Sequence, residues 1–260
     1  GWEGVIGTQF SQQKIDLAGG EGHAHDEHAD DGHDHSSHHD DHEGHNHDIL
    51  MANTQTKKYS LFALEHKQFG DVHVEVGARI DHQTIDVQSE QKNYSGTAYS
   101  ASAAANWEFA PSYKLSFVGS HQQRLPLAQE LYADGMHFAT NTFEVGNPNI
   151  DKETSNNLEL GFHYEGDKLD YHAHIYHNWF DDYIYGETVA RVPNGNLRGI
   201  QYTQDKAKFY GAEAEVSYQV NDIYTLSMFG DYVRGKIEGD NAPRVPAGRL
   251  GTKVESDFAD

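Results

Sequence analysis

The feature with the clearest chemistry is a run of histidines near the N-terminus. Ten histidines fall within 25 residues, and no lysine or arginine interrupts the segment 21–48, which we call the histidine tract. Neutral imidazole is the commonest protein ligand for zinc, copper and nickel, and a histidine-rich stretch without cysteine is typical of metal binding. The candidate ligands are His23, His25, His28, His33, His35, His38, His39, His42, His45 and His47.

The spacing within the tract favours several exchanging ions over one closed site. In an extended segment residues i and i+2 point to the same side, so each such pair can offer two nitrogens to one ion. Zinc needs about four donors, and a long polar tract can supply them in many ways. We expect Zn²⁺ to be the physiological ion. Other divalent transition metals remain possible ligands of the tract, because the general affinity order favours copper over zinc. The pairs are His23-x-His25, His33-x-His35 and His45-x-His47.

Acidic residues are interleaved with these histidines. The tract carries ten Asp and Glu residues and no base, so it contributes −10 of the chain's net charge of −22. The negative electrostatic field of these residues attracts cations. It also stabilises imidazolium, so protons should compete with the metal for the histidine nitrogens. Such a polar, charged segment should be disordered without metal. The alternatives are a solvated acidic loop or a cloning tag, but tags are contiguous and terminal.

The remaining composition excludes several other classes of protein. The acidic balance argues against nucleic acid as a partner, because phosphate binding requires a basic surface. The absence of cysteine excludes disulfides, thiol chemistry and cysteine-based zinc sites. No catalytic motif is present, so we expect no enzymatic activity. No signal peptide or apolar helix is visible, and the strand pattern runs to both ends, which predicts a fragment of a longer protein.

Outside the tract the hydrophobic period is two. In 72–81, for example, valine, alanine and isoleucine alternate with polar and charged residues, which is the pattern of a strand with one apolar face. Ten strands of this kind are expected, longer than the usual five or six residues. They are 3–15, 57–68, 72–83, 97–110, 113–124, 154–165, 168–180, 207–220, 223–236 and 249–258.

The connections between these strands alternate in length. Tight turns lie near 70, 111, 166 and 221, and the long polar connections are about 16–56, 84–96, 125–153, 181–206 and 237–248. Short turns at one end, long loops at the other and tyrosines near the strand ends predict an all-β fold, an antiparallel transmembrane β-barrel with periplasmic turns and extracellular loops. A soluble β-sandwich, whose strands also alternate, is the alternative.

Several motifs carry a more specific resemblance. They are Arg124-Leu-Pro-Leu-Ala-Gln-Glu-Leu-Tyr132, Gly146-Asn-Pro-Asn-Ile-Asp-Lys-Glu153, Asn157-Leu-Glu-Leu-Gly161, Gly211-Ala-Glu-Ala-Glu215 and Pro246-Ala-Gly-Arg249. In this order they resemble the barrel of TonB-dependent outer-membrane receptors, over roughly 57–258. The resemblance implies a portion of a twenty-two-stranded barrel that closes around a plug, in the outer membrane of a Gram-negative cell. The partners it implies are outer-membrane lipid, the TonB system through the missing plug region, and the transported ligand.

The histidine-rich loop resembles in particular that of the zinc-uptake members of this family. Residues 1–260 then form a partial receptor barrel, and 16–56 form a His/Asp-rich extracellular loop inserted between strands. The expected function is the capture and import of zinc. A haem or metal-chelate receptor of the same fold is a second hypothesis, although haem would need apolar surroundings. A surface metal-binding β-domain that transports nothing is a third.

The other histidines are weaker candidates. His73, His163, His172 and His174 share the polar face of their strands, where ordinary lining of the lumen is the simpler interpretation. His121 and His137 flank or lie in the connection 125–153 and could receive metal that is passed inward.

Overall fold

The computed structural model describes residues 1–16, 50–137, 139–189 and 197–258. Within them, one five-residue helix, α1, spans Ala128–Tyr132, and none of their helices is long and apolar enough to cross a membrane. The other elements are strands: β1 Glu3–Ile15, β2 Thr54–Phe69, β3 Val72–Val87, β4 Tyr94–Ala110, β5 Tyr113–Arg124, β6 Asp134–His137, β7 Thr142–Val145, β8 Glu153–Glu165, β9 Leu169–Val189, β10 Arg198–Gln219, β11 Tyr224–Ile237, β12 Asp240–Asn241 and β13 Arg249–Ser256.

The long strands form one antiparallel meander. Their order is β1-β2-β3-β4-β5-β8-β9-β10-β11, with β13 paired to β11, and the described strands leave the sheet open between β1 and β13. The ten predicted strands and the all-β barrel fold are confirmed. Three short strands, β6, β7 and β12, are additional.

The register sorts the side chains onto two chemically different faces. Leu61, Ile80 and Tyr99 lie side by side on β2, β3 and β4, and Leu61 and Tyr99 are 50% and 55% exposed. On the opposite face Arg79 donates from Nε to Asp81 at 2.9 Å. An apolar face that is left uncovered suits lipid, and a charged face suits a water-filled lumen.

Aromatic side chains collect at the end of the sheet that carries the short turns. Tyr113 and Tyr164 have ring centres 4.7 Å apart, and Tyr171 lies 5.3 Å from Tyr164 on the next strand. Rings with an apolar body and a polar tip are favoured at the membrane–water boundary. These tyrosines therefore mark the periplasmic boundary of the membrane span.

Strands β9 and β10 continue far beyond the predicted limits of 180 and 207. Together they cover 181–189 and 198–206 of the stretch that the sequence pattern predicts to be a polar connection, and a bulge interrupts their register between Asp205 and Ala207. Above the membrane neither face meets lipid, so the apolar alternation stops while the backbone ladder continues. The predicted strand limits at 180 and 207 were wrong for this reason.

Candidate functional site

The histidine tract lies outside the described residues, so the ten predicted ligands have no placement and their role stays a prediction. Its points of attachment are described. Ile15 at the end of β1 pairs with Thr54 at the start of β2. On the C-terminal side the Leu50 carbonyl accepts a hydrogen bond of 2.8 Å from the backbone N–H of Asp134, and Met51 is buried.

That contact joins the chain just after the tract to residues 125–152, which connect β5 to β8 and which we call the crossing segment. Instead of an irregular loop, the segment contains α1 and the hairpin β6–β7. Its Leu131 and Ile150 are almost fully buried in a cluster with Ile85 of β3 and Ile184 of β9. The segment therefore lies across the outer end of the lumen, from β3 to β9.

The residues of the family-like motifs hold the crossing segment in place. Arg124 lies 2.9 Å from Glu130 of α1 and 3.3 Å from Glu153 of β8, and these two carboxylate side chains are only 11% and 10% exposed. Glu153 also accepts the backbone N–H of Ile184 at 2.8 Å. A Cβ at Gly146 would lie 2.5–2.6 Å from the backbone of Leu131, so only glycine permits this approach.

A second attachment fixes the hairpin β6–β7 to the outer half of β10. Thr142–Val145 of β7 pairs in parallel with Arg198–Gln201 of β10. This pairing brings a buried carboxylate, Glu144, to the hydroxyl of Tyr202, which donates to Glu144 Oε2 at 2.9 Å. Gln129 of α1 donates to the same oxygen at 2.5 Å.

His137 completes this group of polar side chains. Its Nδ1 lies 2.7 Å from Glu144 Oε1, and its side chain is 33% exposed. A carboxylate that holds one imidazole nitrogen fixes the ring's tautomer and orientation, which is how metal-ligating histidines are usually supported. The arrangement can therefore present Nε2 of His137 to a metal ion, with Glu144 behind it.

The protonation of Glu144 follows from its surroundings. Burial alone would raise its pKa, but hydrogen bonds with Gln129, His137 and Tyr202 outweigh burial and lower the pKa below its ordinary value. Burial and the bond to Glu144 raise the pKa of Tyr202. Glu144 is therefore ionised at neutral pH, and the stability that it adds is present above its ordinary pKa and lost as the pH falls through the lowered one.

The two histidines predicted to receive metal are not brought together. His121 is aligned with Ala101 and Asn156 on the lipid-facing side of the sheet, and its Nδ1 lies 2.8 Å from Asn156 Oδ1. His137 lies in the crossing segment beside Glu144. Of these two histidines, only His137 lies where it could receive metal from outside the barrel, and its role stays a prediction.

The register puts the predicted lumen histidines on the polar face. His163 of β8 is directly opposite His172 of β9, and His174 follows two residues later on the same side. Across the described ranges, no three His, Asp or Glu side chains are already arranged around one point that a metal could occupy.

Sequence reasoning missed the partners of His137. Gln129, Glu144 and Tyr202 are separated by up to 73 residues and meet only because β7 pairs with β10. No local pattern marks that pairing, because a four-residue parallel contact leaves no period in the sequence. The alternation of polar and apolar residues in Thr142-Phe-Glu-Val145 is the one available signal of a strand there.

Comparison with known proteins agrees with this architecture. A family model described as TonB dependent receptor-like, beta-barrel, matches residues 7–254. The iron-regulated outer membrane virulence protein of Vibrio cholerae serotype O1 is 28% identical over 173 residues, which are 64% of this chain and 25% of that protein. The chain thus spans about a quarter of the length of the curated relatives it matches.

Two solved structures share the fold at low sequence identity. The copper transporter OprC superposes with a TM-score of 0.70 at 19% identity, covering 80% of this chain and 34% of OprC. The Serratia marcescens hemophore receptor HasR, solved with its hemophore and haem, gives 0.64 at 15% identity, covering 81% of this chain and 43% of HasR. With the family model matched along nearly the whole chain, the chain belongs to the β-barrel family of TonB-dependent receptors of the Gram-negative outer membrane.

Proposed function

We propose that the receptor containing this chain captures zinc at the cell surface and imports it, with the histidine tract as the capturing segment. Ten imidazoles and ten carboxylates within 28 residues supply the donors and the field that attract a divalent cation. The family supplies the route through the outer membrane, and the force would come from the TonB system acting on the plug.

The observation that carries the proposal is where the tract is attached. The carbonyl of Leu50, three residues after His47, accepts a hydrogen bond from the backbone N–H of Asp134. Asp134 in turn is three residues before His137 on β6. Three residues of extended chain span about 10 Å. Two such spans, one on each side of the Leu50–Asp134 hydrogen bond, set an upper limit of roughly 25 Å between His47 and His137. Metal released from the end of the tract would therefore enter beside the crossing segment, which carries His137 supported by Glu144.

Zinc uptake by cells that carry the full receptor tests the capture step. With all ten tract histidines changed to asparagine, uptake at limiting zinc should fall close to that of cells without the receptor, and it should recover when zinc is abundant. A control variant with the ten tract acids changed to their amides keeps the imidazoles and should retain much of the uptake. Normal zinc uptake without the histidines, or receptor-dependent uptake of haem in place of zinc, would refute the proposal.

The inward step makes a different prediction. His137→Ala should lower the maximal zinc uptake even when zinc is abundant, because the tract can still collect ions but cannot pass them on. Supporting carboxylates contribute about 10–100-fold in metal affinity, so Glu144→Gln should have a partial effect. The control is Asn149→Ala, an exposed residue of the same crossing segment. Equal uptake by His137→Ala and Asn149→Ala would remove His137 from the route.

A further inference from the structure

Three histidines come together at the opposite end of the lumen from His137. The ring centres of His163 and His172 are 6.0 Å apart, those of His163 and His174 are 4.8 Å apart, and those of His172 and His174 are 6.0 Å apart. We call these residues the lumen histidine cluster. They lie on two adjacent strands, three to six residues from the short turn between β8 and β9.

These separations fit the ligands of a single zinc ion. With Zn–N distances of about 2.0–2.1 Å and tetrahedral angles, the centres of two bound imidazoles lie about 5 Å apart. The nitrogens do not yet converge on one point: His174 Nδ1 is 3.1 Å from Glu159, and His172 Nε2 points to Glu215 at 4.0 Å. Binding one ion would therefore require the three rings to turn from these partners towards a common point.

The strand opposite His174 makes room for this ring. Gly161 is the residue directly across from His174, and a Cβ there would lie 2.8–2.9 Å from the imidazole. Any other residue at 161 would have to displace this ring or the Ser116 side chain, whose Oγ would lie closer still. Glycine at this position thus allows the contact between a carboxylate and an imidazole that orients a metal ligand.

The charges that face the cluster favour a cation. Glu159 lies on β8, and Glu213 and Glu215 on β10 are directly opposite His174 and His172. Lys114 on β5 is the basic residue aligned with His163, and its amine is 3.7 Å from Glu108 towards the periplasmic rim. Three carboxylates against one lysine leave the surroundings of the cluster negative.

We propose that His163, His172 and His174 form a second, exit-side binding site for the divalent transition metal. The proposal rests on zinc or a similar ion being the cargo of the receptor. Three imidazoles leave a fourth position for water, as in zinc sites that exchange ligands, which suits an ion in transit. Ten residues of β8 separate Glu153, at the outer end, from His163, so the two sites would stand about 30 Å apart along the lumen.

The test uses the full receptor with residues 21–48 deleted and with His137→Ala, so that the proposed capture and entry sites are absent. This background should bind one Co²⁺ per receptor with the intense visible absorption of tetrahedral cobalt. His163→Gln, His172→Gln and His174→Gln together should abolish that spectrum, and Glu159→Gln should weaken binding about 10–100-fold. The control is His66→Gln with His73→Gln, a pair of lumen rings on β2 and β3 whose centres are 5.4 Å apart and against which the described part of the chain places no third histidine ring.

Protease resistance of the barrel reports whether each variant is folded. His172→Gln alone provides a milder variant, because this side chain is 43% exposed. Absence of bound cobalt in the background, an octahedral spectrum, or retention of the tetrahedral spectrum in the triple variant would each overturn the site. None of these results bears on capture by the tract, which is tested by uptake with the lumen histidine cluster intact.

Discussion

Replacing Arg124 by alanine should release the crossing segment from the lumen while the barrel strands stay folded. The substitution leaves two nearly buried carboxylates, Glu130 and Glu153, without their cation. Removing one partner of a buried ion pair costs about 3–5 kcal/mol, and we expect the lower end of that range because 39% of the Arg124 side chain is exposed. Leu131 and Ile150 would then lose their packing against β3.

Limited proteolysis of the full receptor measures this effect. Chymotrypsin should cut after Tyr132 in Arg124→Ala and spare it in the parent, while the strands remain resistant. Arg124→Lys keeps the charge but loses the guanidinium that contacts both carboxylates, so its cleavage after Tyr132 should be intermediate. Arg249→Ala is the matched control, since Arg249 is 74% exposed beside Asp231 and such pairs contribute little. A Tyr132 that stays protected in Arg124→Ala would show that apolar packing alone holds the segment.

Zinc binding by the tract should weaken steeply between pH 7.5 and 5.5. Metal needs neutral imidazole, and with a reference pKa of about 6.5 the neutral fraction of one histidine falls about tenfold over that interval. An ion held by two imidazoles should therefore bind about 100-fold more weakly at the lower pH. The interleaved acids favour imidazolium and should move the loss to a somewhat higher pH.

Calorimetric titration of the receptor, compared with the variant in which the ten tract histidines are changed to asparagine, isolates this component. More than one zinc per chain should disappear with the histidines, in line with about four donors per ion. Calcium is the control ligand, because carboxylates stay ionised throughout the interval and calcium binding should hardly change. A zinc affinity that does not change with pH would assign the binding to the acids.

The ten long strands could be predicted because lipid imposes a period of two on each of them. The same rule explains the two large errors. In the outer halves of β9 and β10, with Asp181, Asp182 and Asp205, neither face meets lipid, so the ladder continues without its hydrophobic signature. In the crossing segment, Leu131 and Ile150 are buried by contacts with β3 and β9, which no local pattern reports.

The site residues divide in the same way. The chemistry of the tract can be predicted from composition alone, because imidazole and carboxylate donors at this density are typical of metal binding. That His163, His172 and His174 lie on the same, polar face of the sheet also follows from the strand period of two. The support of His137 by Glu144 and of His174 by Glu159 depends on register between strands and on a loop that folds back, which only the three-dimensional structure provides.

The pairing of Ile15 with Thr54 has a consequence for how the tract can vary in length. The 38 residues between them leave and re-enter the sheet at adjacent positions, so the ladder between β1 and β2 fixes the closure. For a connection without regular structure, as the composition of this one predicts, doubling the length raises the free energy of loop closure by only about 0.6 kcal/mol. Repeats of histidine and aspartate can thus be added or removed at almost no cost to the stability of the barrel, so the number of candidate metal ligands and the stability of the barrel can be set independently.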